Sequence, residues 1–152
     1  MVRQVVRRKI LVIPYKSMLD GSCEFLMVQD RKTAEWGFIS GGVKMNETPE
    51  LAASRELLEE TSGVLNPSKL SPFTTFTSTY RPEELQMVDR KRGEFVKSVY
   101  HVFLLKFDRA NIDRFHPNKE VTNIRVAKYH TFENVWSFCD DVYFRYVSRL
   151  LN

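Results

Sequence analysis

A chain of 152 residues with 43% apolar and 28% charged residues has the make-up of one ordinary globular domain, residues 1–152, and not of a disordered, fibrous or collagen-like protein. Its formal charge of +4 favours anionic partners without choosing among them. No apolar run approaches the length that spans a bilayer, so no membrane partner is expected. Cys23 and Cys139 are isolated and lack metal-ligand spacing. They read as reduced, buried or half-buried thiols of a cytoplasmic protein rather than as a disulfide.

The basic residues Arg3, Arg7, Arg8 and Lys9 come first. The strand-like run Ile10-Leu11-Val12-Ile13 follows at once with no cleavage signal, so these charges are read as part of a first strand over 5–15, not as a targeting segment. A turn at Asp20-Gly21-Ser22 leads to a second strand over 24–29. Residues 36–39 form a short strand entering a glycine turn at Gly41-Gly42.

A helix is predicted over 49–62. Thr48 is a good N-cap, Pro49 suits the first helical position, and Glu50 sits where the helix dipole favours an anion. Glu56, Glu59 and Glu60 are spaced i, i+3, i+4 and fall within an arc of about 100°. Leu51 and Leu58 point nearly the opposite way. The pattern therefore predicts a leucine face entering the core and a carboxylate face outside it. Ala52 and Ala53 lie on the carboxylate side, where another backbone can approach closely. Arg55 and Glu59 are an i, i+4 pair, and Gly63 is placed to end the helix in a left-handed conformation.

Asn66-Pro67-Ser68 breaks the chain. Strands are predicted over 73–80, 95–107 and 124–129. A terminal helix over 134–150 carries Trp136, Tyr143, Tyr146, Val147 and Leu150 at helical spacing, a stripe that reads as core packing. No internal repeat or low-complexity linker is present.

Three adjacent carboxylates repel each other unless cations neutralise them, and hard divalent ions take oxygen ligands of this kind. A solvated acidic helix face is the commoner cause of such a stretch. The surrounding residues decide against it, because they resemble the Nudix signature: Gly, five residues, Glu, seven residues, Arg-Glu, an aliphatic residue, any residue, Glu-Glu. Gly41, Glu47, Arg55, Glu56, Leu57, Glu59 and Glu60 match in register. Six fixed residues at ~7% usage coincide by chance at roughly 1 in 10⁷ starts. The family's closing glycine falls on Ser62, and this chain has Gly63 one residue later, which predicts a slightly longer helix before its cap.

The resemblance implies an α/β fold, an α/β/α sandwich around a mixed β-sheet. It implies hydrolysis of a nucleoside diphosphate linked to another group, with Mg²⁺ or Mn²⁺ as cofactor. Glu56, Glu59 and Glu60 become the expected metal ligands, joined by the backbone carbonyl of Ser40. Glu47 is expected to support the turn and Arg55 to orient a glutamate, with Gly41 and Gly63 shaping the motif's two ends. The general base is Glu60 or Glu56 acting through the metal, or a distant loop acid, for which Glu120 is the candidate.

Substrate choice lies outside the motif. Arg81, Arg90, Lys91 and Arg92 lie in the connection between two strands and, with Lys97, form a basic flap suited to phosphates. Trp36, Phe38, Tyr80 and Tyr100 are candidates to stack on a base, and Trp36 is the choice among them. His101 and His130 read as structural. Three functions follow: hydrolysis of RNA caps, hydrolysis of small polyphosphates such as dinucleoside or diphosphoinositol polyphosphates or nucleoside triphosphates, and a catalytically silent binding module. The partner is thus a nucleotide or capped RNA, with no DNA-specific binding expected.

Overall fold

The computed structural model describes residues 3–79 and 94–151. Tyr80, Arg81, Arg90, Lys91 and Arg92 lie outside the described residues. The fold is organised by β1 (Arg3–Ser17), whose residues from Ile10 to Pro14 are all buried. On one side β1 runs parallel to β6 (Glu94–Lys106) along nearly its whole length. On the other it pairs antiparallel with β4 (Ile39–Gly42) through Lys9–Val12, and with β2 (Cys23–Asp30) near its end. β5 (Leu70–Thr79) adds to β6, and β3 (Trp36–Gly37) and β7 (Val121–Ala127) add to β2, giving a mixed sheet of seven strands.

The period of two in a strand sends alternate residues to opposite faces. Ile10 and Val12 of β1, with Leu26, Val28, Phe103 and Leu105, pack on α1 (Pro49–Thr61) through Ala52, Ala53 and Leu57. Leu11 and Ile13, with Phe25, Met27, Tyr100 and Val102, pack on Cys139, Val142, Tyr143 and Val147 of the C-terminal helical segment. A strand buried on both faces reads as the continuous apolar run Ile10–Ile13, as seen in the sequence. The result is the expected α/β/α sandwich.

Four local readings need correction. Gly41 and Gly42 do not form the turn: they belong to β4, where Gly41 faces Ile10 and Gly42 faces Lys9, and the chain turns afterwards through 43–48. The strand expected over 124–129 is β7, Val121–Ala127, and Tyr129 starts a short 3₁₀ turn. The C-terminal helix begins at Ser137, not 134, because Asn134 is left-handed (φ 53°) and its segment bridges to β3: Trp36 N–H donates to Asn134 O and Trp136 N–H to Trp36 O, both at 2.9 Å. From there α2 (Ser137–Val142) passes through a π-helical turn (Tyr143–Val147) into α3 (Ser148–Leu151). Tyr143 stacks on Tyr129 with ring centroids 3.6 Å apart. The Tyr129 hydroxyl donates to the Asp140 carboxylate.

The fourth correction concerns α1. Its buried face carries Ala52, Ala53, Glu56, Leu57, Glu60 and Thr61, while Leu51 and Leu58 are 60% and 46% exposed. The carboxylate side faces inward and the leucine side outward, the reverse of the periodicity reading. The reason is close approach. Two alanines and Leu57 form a narrow ridge that fits against β1 and β4, and Gly41 presents no Cβ to the helix.

The two helix faces give different outcomes on truncation. Leu57→Ala should lower stability by about 2–5 kcal/mol through a core cavity. Leu58→Ala should stay within about 0.5 kcal/mol. Urea unfolding midpoints of the two variants measure the difference, and equal losses would restore the leucine-in reading.

Candidate active site

Strand β4 and helix α1 build the site between them. The loop that joins them is closed by Glu47, whose Oε1 accepts the Lys44 N–H at 3.0 Å. Thr48 Oγ1 then accepts the Leu51 N–H at 3.2 Å and starts the helix as expected. Arg55 ties loop, strand and helix together. Its Nε and Nη2 donate to the two oxygens of Glu47 at 2.8 and 3.0 Å, and Nη2 also reaches Gly42 O at 3.0 Å. Its Nη1 donates to Glu56 Oε1 at 2.9 Å and, more weakly, to Glu59 Oε2 at 3.4 Å. The guanidinium, followed by the Lys44 amide, holds the Glu47 carboxyl down at about 2. Arg55 itself is raised further above its already high range, first by Glu47.

The carboxylate of Glu56 lies directly under Gly41. A Cβ added there would stand 2.2 Å from Glu56 Oε1, so only glycine leaves room for the acid. Glu56 and Glu60 are buried, at 7% and 6% exposure. Together with the exposed Glu120 they place carboxylate oxygens within 4.8 Å of one another. Burial raises the pKa of Glu56. Glu60 is pushed well above the usual carboxylate range, first by burial and then by Glu56, against a backbone hydrogen bond from Ser40. Glu56 Oε2 and Glu60 Oε2 are buried and meet no hydrogen-bond partner among the described residues. Buried polar atoms are rarely left so. Two buried carboxylates with unused lone pairs, converging beside a third, exposed acid, suit a hard divalent cation, so the residues present fit the implied metal.

Glu59 stands apart from this trio. Its side chain is 53% exposed and turned to Arg55. The helix ends at Thr61, earlier than expected. Ser62, at the place of the family's glycine, itself takes the left-handed conformation (φ 54°), and Gly63 follows with φ 79°. The Ser62 hydroxyl donates to His116 O at 2.8 Å, tying the helix end to the loop that carries Glu120.

Asn118 strengthens that tie. Its Nδ2 donates to the carbonyls of Glu59 and Glu60 at 3.1 and 3.3 Å, which α1 leaves unpaired at its end. Its Oδ1 accepts the N–H groups of Glu120 and Val121 at 3.0 and 2.9 Å. The Arg31 N–H donates to Glu120 O at 2.8 Å. Sequence reasoning placed Glu120 in a loop but missed Asn118. The available signal was an Asn two residues before the acid, an Asx-turn spacing.

A cavity of about 270 Å³ opens beside the carboxylates. Phe38, Val121 and Trp136 supply apolar wall, and Ser40, Glu35, Glu60 and Glu120 supply polar wall. Trp36 does not line it. Its ring is packed 5.5 Å from Phe132 on the aromatic core, so the tryptophan at the cavity is Trp136, which periodicity had assigned to core packing. Tyr100 is 1% exposed and stacked on Phe76, unavailable to a base. Lys97 lies on β6 opposite Val6 and Thr79 and does not line the cavity. His101 is half-buried on β6, and His130 is exposed in the turn after β7. Cys23 and Cys139 are free and buried. Burial pushes the Cys139 thiol up to about 12.

This sheet order, with an acidic helix laid on a glycine strand, defines a class, and comparison agrees. The NUDIX domain family model matches residues 8–147. The chain belongs to the Nudix family and is a Nudix hydrolase of pyrophosphate-containing substrates. Among solved structures, the MutT protein from Methanosarcina mazei Go1 is similar at 16% identity and TM-score 0.64, with 95% of each chain covered. The E. coli dihydroneopterin triphosphate pyrophosphohydrolase is similar at 19% identity and TM-score 0.61, covering 97% of this chain and 99% of that one. A C. elegans Ap4A hydrolase binary complex shares 19% identity at TM-score 0.54 over 80% of each chain. No protein of curated function matches the sequence.

The raised pKa values of Glu56 and Glu60 fix a pH dependence for the metal-free protein. Above the ordinary carboxylate value of 4.5, the folded state holds more protons than the unfolded state, so stability falls as pH rises until the folded values are passed. Thermal midpoints in chelator should drop as pH rises above the ordinary carboxylate range. Glu60→Gln should flatten that slope, and an unchanged slope would show that the two acids do not titrate as a buried pair. Asn118→Ala removes the link between helix end and loop. It should lower turnover by about 10-fold or more while costing about 1–2 kcal/mol of stability. Turnover unchanged at equal folding would show that Glu120 is placed without it.

Proposed function

We propose that this chain hydrolyses the phosphoanhydride bond of a 5′ RNA cap over the Glu56–Glu60–Glu120 cluster. The carrying observation is the pair of buried, unpartnered carboxylate oxygens next to a third acid. Glu56 and Glu60 would hold the divalent ion, with the Ser40 carbonyl beside them and Glu59 as an outer ligand. Bound Mg²⁺ or Mn²⁺ neutralises diphosphate charge and acidifies water. Glu120, exposed and held by its backbone, is free to accept a proton from the attacking water. Arg55 keeps Glu56 oriented and does not touch substrate. Arg81, Arg90, Lys91, Arg92 and Lys97 remain candidates for phosphate contact from the flap.

Cap chemistry suits the cavity. Its volume sits just below the usual ligand-pocket range of about 300–1,000 Å³, so it takes one nucleoside and leaves the rest of the substrate outside. Trp136 and Glu35 line it together. An indole face flanked by a carboxylate favours a base that carries positive charge, as a methylated cap guanine does. The second reading is a dinucleoside polyphosphate, favoured by the fold shared with the Ap4A hydrolase. The silent-module reading has no support, because every motif glutamate is present.

Purified protein with Mg²⁺ or Mn²⁺ should release the cap nucleotide from capped RNA with a higher kcat/KM than it shows on dinucleoside polyphosphates. Glu60→Gln should lower turnover by about 10²-fold or more. Glu120→Gln should lower kcat with metal affinity kept. Product analysis by chromatography and metal titration by calorimetry separate these effects. Preference for the dinucleotide would transfer the assignment to the second reading. Wild-type turnover from Glu60→Gln in saturating metal would remove the cluster from catalysis.

A further inference from the structure

At the far end of β4 from the cavity lies a second concavity, of about 530 Å³. Its walls include Arg7, Arg8 and Lys9 of β1 and Lys44, Met45 and Glu47 of the loop after β4. Four basic residues from two separate segments line it, with the Lys9 ammonium resting 6.0 Å from the Tyr100 ring centroid on the opposite face of β1 from Arg8. The one acid among these six, Glu47, is already bonded through both oxygens to Arg55. Arg8 and Lys9 form no salt bridge among the described residues. The groove therefore presents net positive charge to solvent.

Its position matters as much as its charge. β4 ends where Gly42 faces Lys9, the Val43 N–H donates to Arg8 O at 2.9 Å just beyond it, and no described strand pairs with β1 on this side before that point, so the groove leads onto an open strand edge. Ser40 lines the catalytic cavity and Gly42 lines the groove. Only Gly41 stands between them, a separation of two strand steps or about 7 Å. Met45, 91% exposed at the rim, adds an apolar, polarisable surface beside the charges. Cations with an exposed apolar group beside them match a single strand of nucleic acid, which offers phosphates and bases together. A small polyphosphate, with its charge held at the cavity, has no use for this extension.

We propose that this groove binds the phosphate backbone of a single-stranded RNA leaving the catalytic cavity, an inference that rests on the RNA reading of the cavity itself. Arg8 and Lys44 are its two main phosphate contacts, both exposed and neither part of the metal or proton-transfer machinery. Arg81, Arg90, Lys91 and Arg92, outside the described residues, form no part of this proposal.

The test uses the full chain in chelator, so that binding is read without hydrolysis. The probe is a fluorescent, uncapped single-stranded RNA of about 12 nucleotides, followed by anisotropy at several salt concentrations. The wild type should bind with a steep salt dependence. Arg8→Ala/Lys44→Ala should bind about 10-fold or more weakly. Its log–log salt slope should be shallower by about 1.4, since each single-strand phosphate contact contributes about 0.7. Arg145→Ala/Arg149→Ala, on the C-terminal helical segment, removes the same charge and should leave binding nearly unchanged. Cleavage of a cap dinucleotide should be the same in all three proteins. Equal weakening by both double variants would overturn the proposal in favour of bulk charge. RNA binding retained by Arg8→Ala/Lys44→Ala would overturn it too, and self-association of that variant on gel filtration would then assign these charges to guarding the open strand edge. The binding arm stands apart from catalysis. A protein that binds RNA through the groove but leaves caps intact sinks the cap reading alone.

Discussion

Arg55 is the interaction on which the site depends. Two acids, Glu56 and Glu60, are buried on the inner face of a helix, an arrangement that repels itself and loses hydration. A lysine would neutralise one of them as a point charge. The guanidinium does more, because its planar fork reaches Glu47, Glu56, Glu59 and the Gly42 carbonyl at once. It thereby fixes three things relative to each other: the end of β4, the loop that follows, and the first acid of the helix. Glu60 has no such partner. Its charge is left to the Ser40 amide and to whatever cation enters, while burial and then the neighbouring Glu56 raise its pKa.

The sandwich separates this demand from the rest of the fold. β1 sends Ile10 and Val12 to the helix α1 side and Leu11 and Ile13 to the aromatic side. The aromatic side is densely packed, with Phe25, Tyr129 and Tyr143 in mutual ring contact. It anchors the sheet with large apolar surfaces and leaves the α1 side to accommodate polar groups. α1 contributes only two alanines and one leucine to its core cluster. Its hold on the sheet is therefore supplemented by polar ties at its middle and its C-terminal end: Arg55 to β4 and the loop, and Asn118 with Ser62 to the segment before β7. These same ties position the acids. Stability and site geometry are carried by shared groups on and beside α1 and by separate groups in the sheet.

Much of this was legible in the sequence. The spacing of Gly41, Glu47, Arg55, Glu56, Glu59 and Glu60 indicated the family, and with it the sandwich. Thr48 and Pro49 marked where α1 begins, and Ile10–Ile13 marked the doubly buried strand. What failed did so for identifiable reasons. Hydrophobic periodicity assumes that leucines enter and glutamates stay out. It reversed the face of α1 because Gly41 and the alanine pair, not side-chain polarity, decide how the helix can approach β4. Helical spacing ran Trp136 into the C-terminal helix, while backbone bridging to Trp36 holds that segment out of it and turns the indole toward the cavity. The convergence of Glu120 on Glu56 and Glu60 crosses about sixty residues. Asn118 and the Ser62–His116 hydrogen bond make the link, and a single Asn and a Ser in polar segments carry little signal by themselves.

The cavity and the basic groove meet through β4, and this links the motif's glycines to substrate choice. Gly41 exists for Glu56, since no Cβ fits there. Gly42 has nothing within 4 Å of an added Cβ, so packing does not demand it. Its carbonyl is held by Arg55 and its register partner is Lys9, the inner end of the groove. Keeping that residue bare leaves backbone, not side chain, between the cavity and the cations of Arg8, Lys9 and Lys44. An anionic chain crossing β4 at this point meets no steric wall and no free carboxylate, because Glu47 is already bonded to Arg55. The fork that orients the first acid of the helix thus also removes the one negative charge that would oppose an extended substrate. The same few hydrogen bonds thereby order the carboxylate cluster and keep Glu47 paired beside the groove.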